Sequence, residues 1–359
     1  MIKFNINQDI SQAETMPANF YTDENVFSQT KEKIFSSSWQ LVECGAGVFS
    51  EDEAYPFMLL PGFMNEPLVL INNNDNQLKC MSNVCTHRGN ILIEQPGKSK
   101  SIVCAYHGRK FNNSGRFVSM PEFEEVQNFP RACDHLHQVK LQSWNQFHFV
   151  GLNCNHDLKS FFTQLEMRLG FMNVSQFRYA PELNREYLVH ANWALYCDNY
   201  LEGFHVPFVH QGLNKVLDYK NYTTEIFDNF NLQIGIADND ADCFHFPESH
   251  IDKGKKIAAY YYWLFPNTMF NFYPWGLSVN IVKPLSVNKC KVSFITYVYD
   301  ETKMQTGAGA NLDKVEREDE AVVEAVQRGM QSRFYNTGRY SPTREKGVHH
   351  FHSLIAKSF

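Results

Sequence analysis

Four residues constrain this chain more than any others. Cys85 and His87 stand in Cys85-Thr86-His87, and after sixteen residues Cys104 and His107 stand in Cys104-Ala105-Tyr106-His107. Each short loop supplies one thiol and one imidazole, a donor set that suits zinc or an iron–sulfur cluster. Zinc modules usually present Cys pairs and His pairs, whereas here each loop mixes the two. The alternation fits a [2Fe–2S] centre in which two Cys hold one iron and two His the other. Each loop then gives one ligand to each iron. Gly89 and Gly108 follow the two histidines, where the backbone must turn tightly.

A second constellation lies in Asp198-Asn199-Tyr200-Leu201-Glu202-Gly203-Phe204-His205-Val206-Pro207-Phe208-Val209-His210. Two His and one carboxylate form the facial triad of non-haem Fe(II) enzymes, which leaves positions open for O2. Glu202 and His205 are three apart and would share a helix face. His205 and His210 are five apart, and an ideal helix would turn them away from each other. Pro207 is therefore read as bulging or breaking the helix so that both imidazoles meet. For the carboxylate, residues 311–333 read as a helix with Val315, Val322, Val326 and Met330 on one apolar stripe. Asp319 falls on that stripe, where a lone carboxylate is costly unless paired or metal-bound. Glu316, Glu318 and Glu320 are expected on other, solvated faces.

With both constellations in place, the chain resembles the Rieske non-haem iron oxygenases. These comprise the α subunits of ring-hydroxylating dioxygenases and the quaternary-ammonium monooxygenases. The resemblance spans nearly the whole chain. It implies an α+β fold: an all-β Rieske domain at 35–155, and a catalytic domain built from 1–34 and 156–359. The latter would be a helix-grip (START-like) domain, a curved antiparallel sheet on a long C-terminal helix. By resemblance Cys85, His87, Cys104 and His107 hold the [2Fe–2S] cluster. His205, His210 and Asp319 hold Fe(II), with Glu318-Asp319 matching the family's late acidic pair. Glu202 would be no ligand; it would link His107 of one subunit to His205 of the next, which implies a closed ring, a homotrimer. Asn199 is either an assistant to proton or electron transfer or a packed polar group. Asn90 and Tyr106 stand where respiratory Rieske proteins carry a disulfide, so none can form there. Ala105 replaces a common Pro and Arg109 a common Trp.

The resemblance further implies a terminal oxygenase that takes electrons from a reductase or ferredoxin, with NAD(P)H involved only through that partner. It would use O2 to hydroxylate or N-demethylate a small organic substrate. Dioxygenases of aromatic rings mostly carry Asp where this chain has Glu202; Glu points toward oxidation of quaternary ammonium compounds. Hydroxylation of an arene or aryl carboxylate is the alternative. A Rieske electron carrier and a zinc-stabilised binding protein also stay open.

The rest of the sequence agrees with this frame. At 359 residues the chain suits two cores. A net charge of −6 without a basic stretch argues against nucleic acid. No run of eighteen apolar residues spans a membrane, and the first residues lack the layout of a signal peptide. Nine scattered Cys suggest free thiols in the cytoplasm. A helix is expected around 24–36, strands at 39–42, 67–71 and 147–151, turns at Asn72-Asn73-Asn74-Asp75 and Asn112-Asn113-Ser114-Gly115, a helical connector at 155–180, and strands from 181 to 300. Tyr260 to Trp275 is the densest aromatic region, able to line a cage for a cation or simply to fill a core. Phe270 and Phe272 share one strand face, Asn271 and Tyr273 the other, so only one pair can reach a cavity. His349, His350 and His352 are read as structural, and Arg88, Arg109 and Lys110 as solvated loop residues or a docking surface for an electron donor.

Overall fold

The computed structural model describes residues 2–47, 49–73, 77–213, 218–237, 243–304, 306–310 and 312–359. Residues 74 and 75 of the first expected turn, and residue 311 of the late helix, lie outside the described residues. The described residues form two compact units. One runs Trp39–His156; the other joins Met1–Ser38 to Asp157–Phe359.

The first unit is all β. A seven-stranded antiparallel sheet orders Gln40–Leu41, Phe147–Gly151, Gln138–Trp144, Leu78–Ser82, Glu66–Asn72, Glu53–Leu59 and Gly97–Lys98. The unit's first and last strands in chain order pair directly, Gln40 opposite Val150, and the Trp39 indole donates to the carbonyl of His156 at 2.9 Å. Leu68, Val69, Leu70 and Ile71 are fully buried, a continuous apolar run that suits a central strand. A three-stranded sheet of Ile102–Val103, Lys110–Phe111 and Phe117–Ser119 carries the second Cys/His loop at its hairpin tip. The first loop is closed in the same way by the bridge between Val84 and Ile91.

The second unit wraps an antiparallel sheet around helices. The strand order is Arg178–Tyr179, Lys289–Val298, Gly276–Ser286, Thr268–Tyr273, Ile257–Leu264, Phe230–Ile236 and Thr223–Ile226, with Arg185–Val189 also on Lys289–Val298. Alternation sorts the aromatic strands. Tyr262 and Phe270 pack with Phe161 of the Lys159–Leu169 helix, while Tyr261, Asn271 and Tyr273 line a cavity on the other face. The expected 24–36 helix is α-helical over Glu24–Thr30 and continues as a π-helical turn over Lys31–Phe35.

The late helix, Leu312–Met330, differs from the sequence reading in its buried face. Glu316, Val323 and Gln327 are buried, whereas Val326 is 39% exposed. The seam is polar because it is bonded to the Trp193–Tyr200 helix and the residues leading into it. Gln327 Oε1 accepts from the Asn192 backbone at 2.7 Å, Glu316 Oε2 from the Tyr196 hydroxyl at 2.6 Å, and Asp319 Oδ1 from Asn199 Nδ2 at 2.7 Å. Glu316 is therefore not the solvated residue expected from the valine stripe, and Glu318 and Glu320 are themselves half-buried.

Candidate active site

The two Cys/His loops are built alike. In the first, Cys85 N donates to Asn90 O at 2.8 Å and Gly89 N to Cys85 O at 3.0 Å. In the second, Cys104 N donates to Arg109 O at 2.8 Å and Gly108 N to Cys104 O at 3.0 Å. Both turns close on a left-handed glycine, φ +72° at Gly89 and +70° at Gly108, a region where a side chain would be strained. Cys85 and Cys104 sit in the hydrophobic core beside Val69, Ile71 and Phe111, while the imidazoles lie at the loop tips, ring centroids 4.8 Å apart and His107 exposed.

The backbone N–H groups of His87 and Arg88 point to the Cys85 sulfur, and those of Tyr106 and His107 to Cys104. Burial pushes the Cys85 thiol up. Burial acts the same way on Cys104, but those N–H groups and the Cys85 thiol hold it below its ordinary value. Paired inward thiols and paired outward imidazoles fit a [2Fe–2S] group with one all-sulfur side and one all-nitrogen side.

Arg109 is buried at 2% exposure, so it is neither a solvated nor a docking residue. It ion-pairs with Asp134 at 3.0 Å, and its guanidinium lies 5.0 Å from the Phe117 ring and 5.2 Å from Phe129. The carbonyl of Asp134 accepts from Arg109 at 3.1 Å and from Thr86 Oγ1 at 2.9 Å. One peptide group thus ties both loops together.

In the second unit, His205, His210 and Asp319 converge, their donor atoms within 4.8 Å of one another. The helix read as bulged or broken around Pro207 is broken. The Trp193–Tyr200 helix stops, and a separate turn, Val206–Val209, carries Pro207 in its first two positions, where its missing N–H costs nothing. His205 caps one end of that turn and His210 the other. Glu202 meets His205 not across a helix face but by accepting the backbone N–H groups of Phe204 and His205.

The hydrogen bonds orient the rings. Glu202 Oε1 lies 2.7 Å from His205 Nδ1, and Glu318 Oε2 lies 2.8 Å from His210 Nδ1. Both Nε2 atoms are thereby turned to Asp319 Oδ1, at 3.5 Å and 3.0 Å. Burial alone would lower the His210 pKa, but Asp319 and Glu318 raise it above its ordinary value. Two Nε2 atoms and one carboxylate on one side of a cavity, each imidazole braced by a carboxylate, fit a mononuclear metal with open positions. Sequence reasoning missed Glu318 as a brace and Glu316 as a buried wall residue. For Glu316 a signal was present: Leu312, Glu316, Asp319, Val323 and Gln327 form an alternative helical stripe.

The cavity beside this triad has an empty volume of about 820 Å³, its open mouth included. Tyr200, Tyr222, Tyr261 and Tyr273 border it, and no Lys or Arg does among the described residues. Burial raises the pKa of each of these phenols, so they stay neutral. The C-terminal histidines go elsewhere. His352 is bonded to Asp198 and Tyr21, His349 to the carbonyl of Asn7, and the His350 ring lies by Trp263.

Two metal-type centres on these two folds define a Rieske-type oxygenase. Residues 175–358 match the ring hydroxylating alpha subunit (catalytic domain), and residues 55–130 match the Rieske [2Fe-2S] domain. The chain belongs to that alpha-subunit family. It is an oxidoreductase that uses O2, carries a [2Fe–2S] cluster and a mononuclear iron, and draws electrons from a reductase. It is 29% identical to the chloroplastic choline monooxygenase of Arabidopsis thaliana, over 96% of this chain and 83% of that protein. It is also 29% identical to the carnitine monooxygenase oxygenase subunit of Escherichia coli (strain K12), over 97% and 94%. The crystal structure of a quaternary ammonium Rieske monooxygenase superposes with a TM-score of 0.78 at 25% identity, over 99% of each chain. Naphthalene 1,2-dioxygenase shares the fold, with a TM-score of 0.72 at 16% identity over 99% of this chain and 95% of that one.

Proposed function

We propose that this chain oxidises an N-methyl group of a small quaternary ammonium compound, releasing formaldehyde or leaving a hydroxylated methyl. The carrying observation is the cavity: neutral tyrosine rings and buried carboxyls surround the triad, and no basic side chain borders it among the described residues. Such a wall attracts a cation, by roughly 0.5–2 kcal/mol per favourably placed ring. The choline and carnitine monooxygenases among its relatives are named for compounds that carry a quaternary ammonium group.

When bound, the cluster carries single electrons and the mononuclear iron supplies O2 activation. The chain's own residues do the rest. Cys85, Cys104, His87 and His107 hold the cluster, in a domain of residues 35–155. His205, His210 and Asp319 hold the iron, in a domain of 1–34 and 156–359. Asn199 donates to Asp319 Oδ1 and fixes that carboxylate's orientation. Glu202 keeps the proton of His205 on Nδ1, and its carboxylate serves the approach of His107 from the neighbouring subunit of a homotrimer. The electron donor is a reductase or ferredoxin, and the setting is the cytoplasm.

The test is single-turnover oxidation of the reduced protein by O2, followed by cluster absorbance, with choline, carnitine, betaines, arenes and aryl carboxylates. Acceleration by a quaternary ammonium compound with formaldehyde release supports the reading; acceleration only by an arene replaces it with ring hydroxylation. His205→Ala is expected to abolish turnover while keeping the cluster's colour, and survival of activity would remove His205 from the site.

A further inference from the structure

We propose that Glu316 is the counter-ion that selects a cationic substrate, an inference that rests on the quaternary-ammonium reading above. Glu316 lines the same cavity as His205, His210 and Asp319, and is only 4% exposed. Its Oε2 is held by the Tyr196 hydroxyl at 2.6 Å, while its Oε1 is buried with no hydrogen-bond partner among the described residues. Buried carboxyl oxygens are rarely left so, because a desolvated acceptor without a hydrogen bond is costly. No lysine or arginine among the described residues forms an ion pair with it. Burial holds the Glu316 acid well above the ordinary carboxylate range, and a ligand that brings its own positive charge into the cavity favours the ionised form.

Position on the helix strengthens the case. Glu316 is one turn before Asp319, so the two side chains share a face with about 5–6 Å between their Cβ atoms. A methyl group presented to the Asp319 end of the cavity is bonded to the cationic nitrogen, which must therefore sit within one bond length of that methyl. Cation and metal repel each other across this short gap. A carboxylate one turn away offsets the repulsion at the spot where it arises, whereas tyrosine rings around the cavity attract the charge without fixing its place. Glu316 is thus a specificity residue. It is not a metal donor.

The experiment compares wild type and Glu316→Gln with two probes. One is whichever of choline, L-carnitine and glycine betaine gates cluster oxidation in the wild type; the other is its carbon isostere, with the ammonium nitrogen replaced by carbon. In the wild type the ammonium compound is expected to have a KM at least about tenfold below that of the isostere that lacks the ammonium charge. In Glu316→Gln that preference should collapse, through a higher KM for the cation, with kcat changed less than about twofold. Iron content and cluster absorbance should stay unchanged. A purely structural role would move both probes in parallel, which overturns the inference. Equal KM values in the wild type overturn it without any variant, should Glu316→Gln fold poorly. If no cation gates the wild type and an arene does, the functional reading fails and the inference with it. If a cation gates the wild type and Glu316→Gln keeps the preference, the inference alone fails.

Discussion

Each histidine ring of the catalytic unit owes its orientation to a carboxylate on its Nδ1, the nitrogen turned away from Asp319. Glu318 grips His210 Nδ1 at 2.8 Å, and His210 is otherwise buried at 1% exposure, so the ring has one tether besides Asp319. Loss of such a brace typically costs roughly 10- to 100-fold in metal affinity. Glu318→Ala is therefore expected to lose mononuclear iron on dialysis against a chelator at concentrations that spare the wild type, with cluster absorbance unaltered. Equal retention of iron in both proteins would make the bond incidental. At this scale the sequence was informative about donor atoms and poor on their supports. Cys, His and Asp at unusual spacings are conspicuous, whereas Glu318 and Glu316 look like ordinary solvated acids until the helix's rotation is known. Arg109 misled in the same way: beside a surface loop it reads as exposed, yet Asp134 and the phenylalanine rings bury it.

Elements show why the late helix deceived. Valines at 315, 322 and 326 predicted the packed face, but bonds from Asn192, Tyr196 and Asn199 turned a polar stripe inward, and hydrophobic periodicity cannot see partners elsewhere in the chain. Strand alternation has no such weakness, since its period of two fixes opposite faces. The separation of Asn271 and Tyr273 from Phe270 and Phe272 was legible for that reason. The C-terminal Lys346–Ser358 helix makes a further prediction. Burial, first of all, holds the His350 pKa down to about 4 from 6.5; the Asp228 backbone raises it slightly, and Lys357 and His349 oppose protonation. The folded state binds that proton less readily than the unfolded chain, so His350's contribution is whole above pH 6.5 and is lost as pH falls toward 4, on the order of 3 kcal/mol. His350→Gln should flatten the fall of Tm with pH across this window in thermal melts. An unchanged slope would put the acid sensitivity elsewhere.

At the scale of the whole molecule, the proposed Glu202 relay makes each chain's cluster serve a neighbour's iron. Mixed trimers put this to a direct test. His107→Ala and His205→Ala chains, each inactive alone, should regain turnover when refolded or co-expressed together, because an intact cluster then faces an intact iron across a subunit boundary. No recovery in verified mixed trimers would place the electron path within one chain. The chain path carries a different lesson. Gln40 pairs with Val150, and the Trp39 indole holds the carbonyl of His156, so the cluster unit ends where it begins. A segment with adjoining ends behaves as a cassette. Residues 39–156 can be cut from the gene and the gap closed with a short bridge, or the same stretch can be transplanted between strands of another host, and in neither case need the flanking backbone be rerouted.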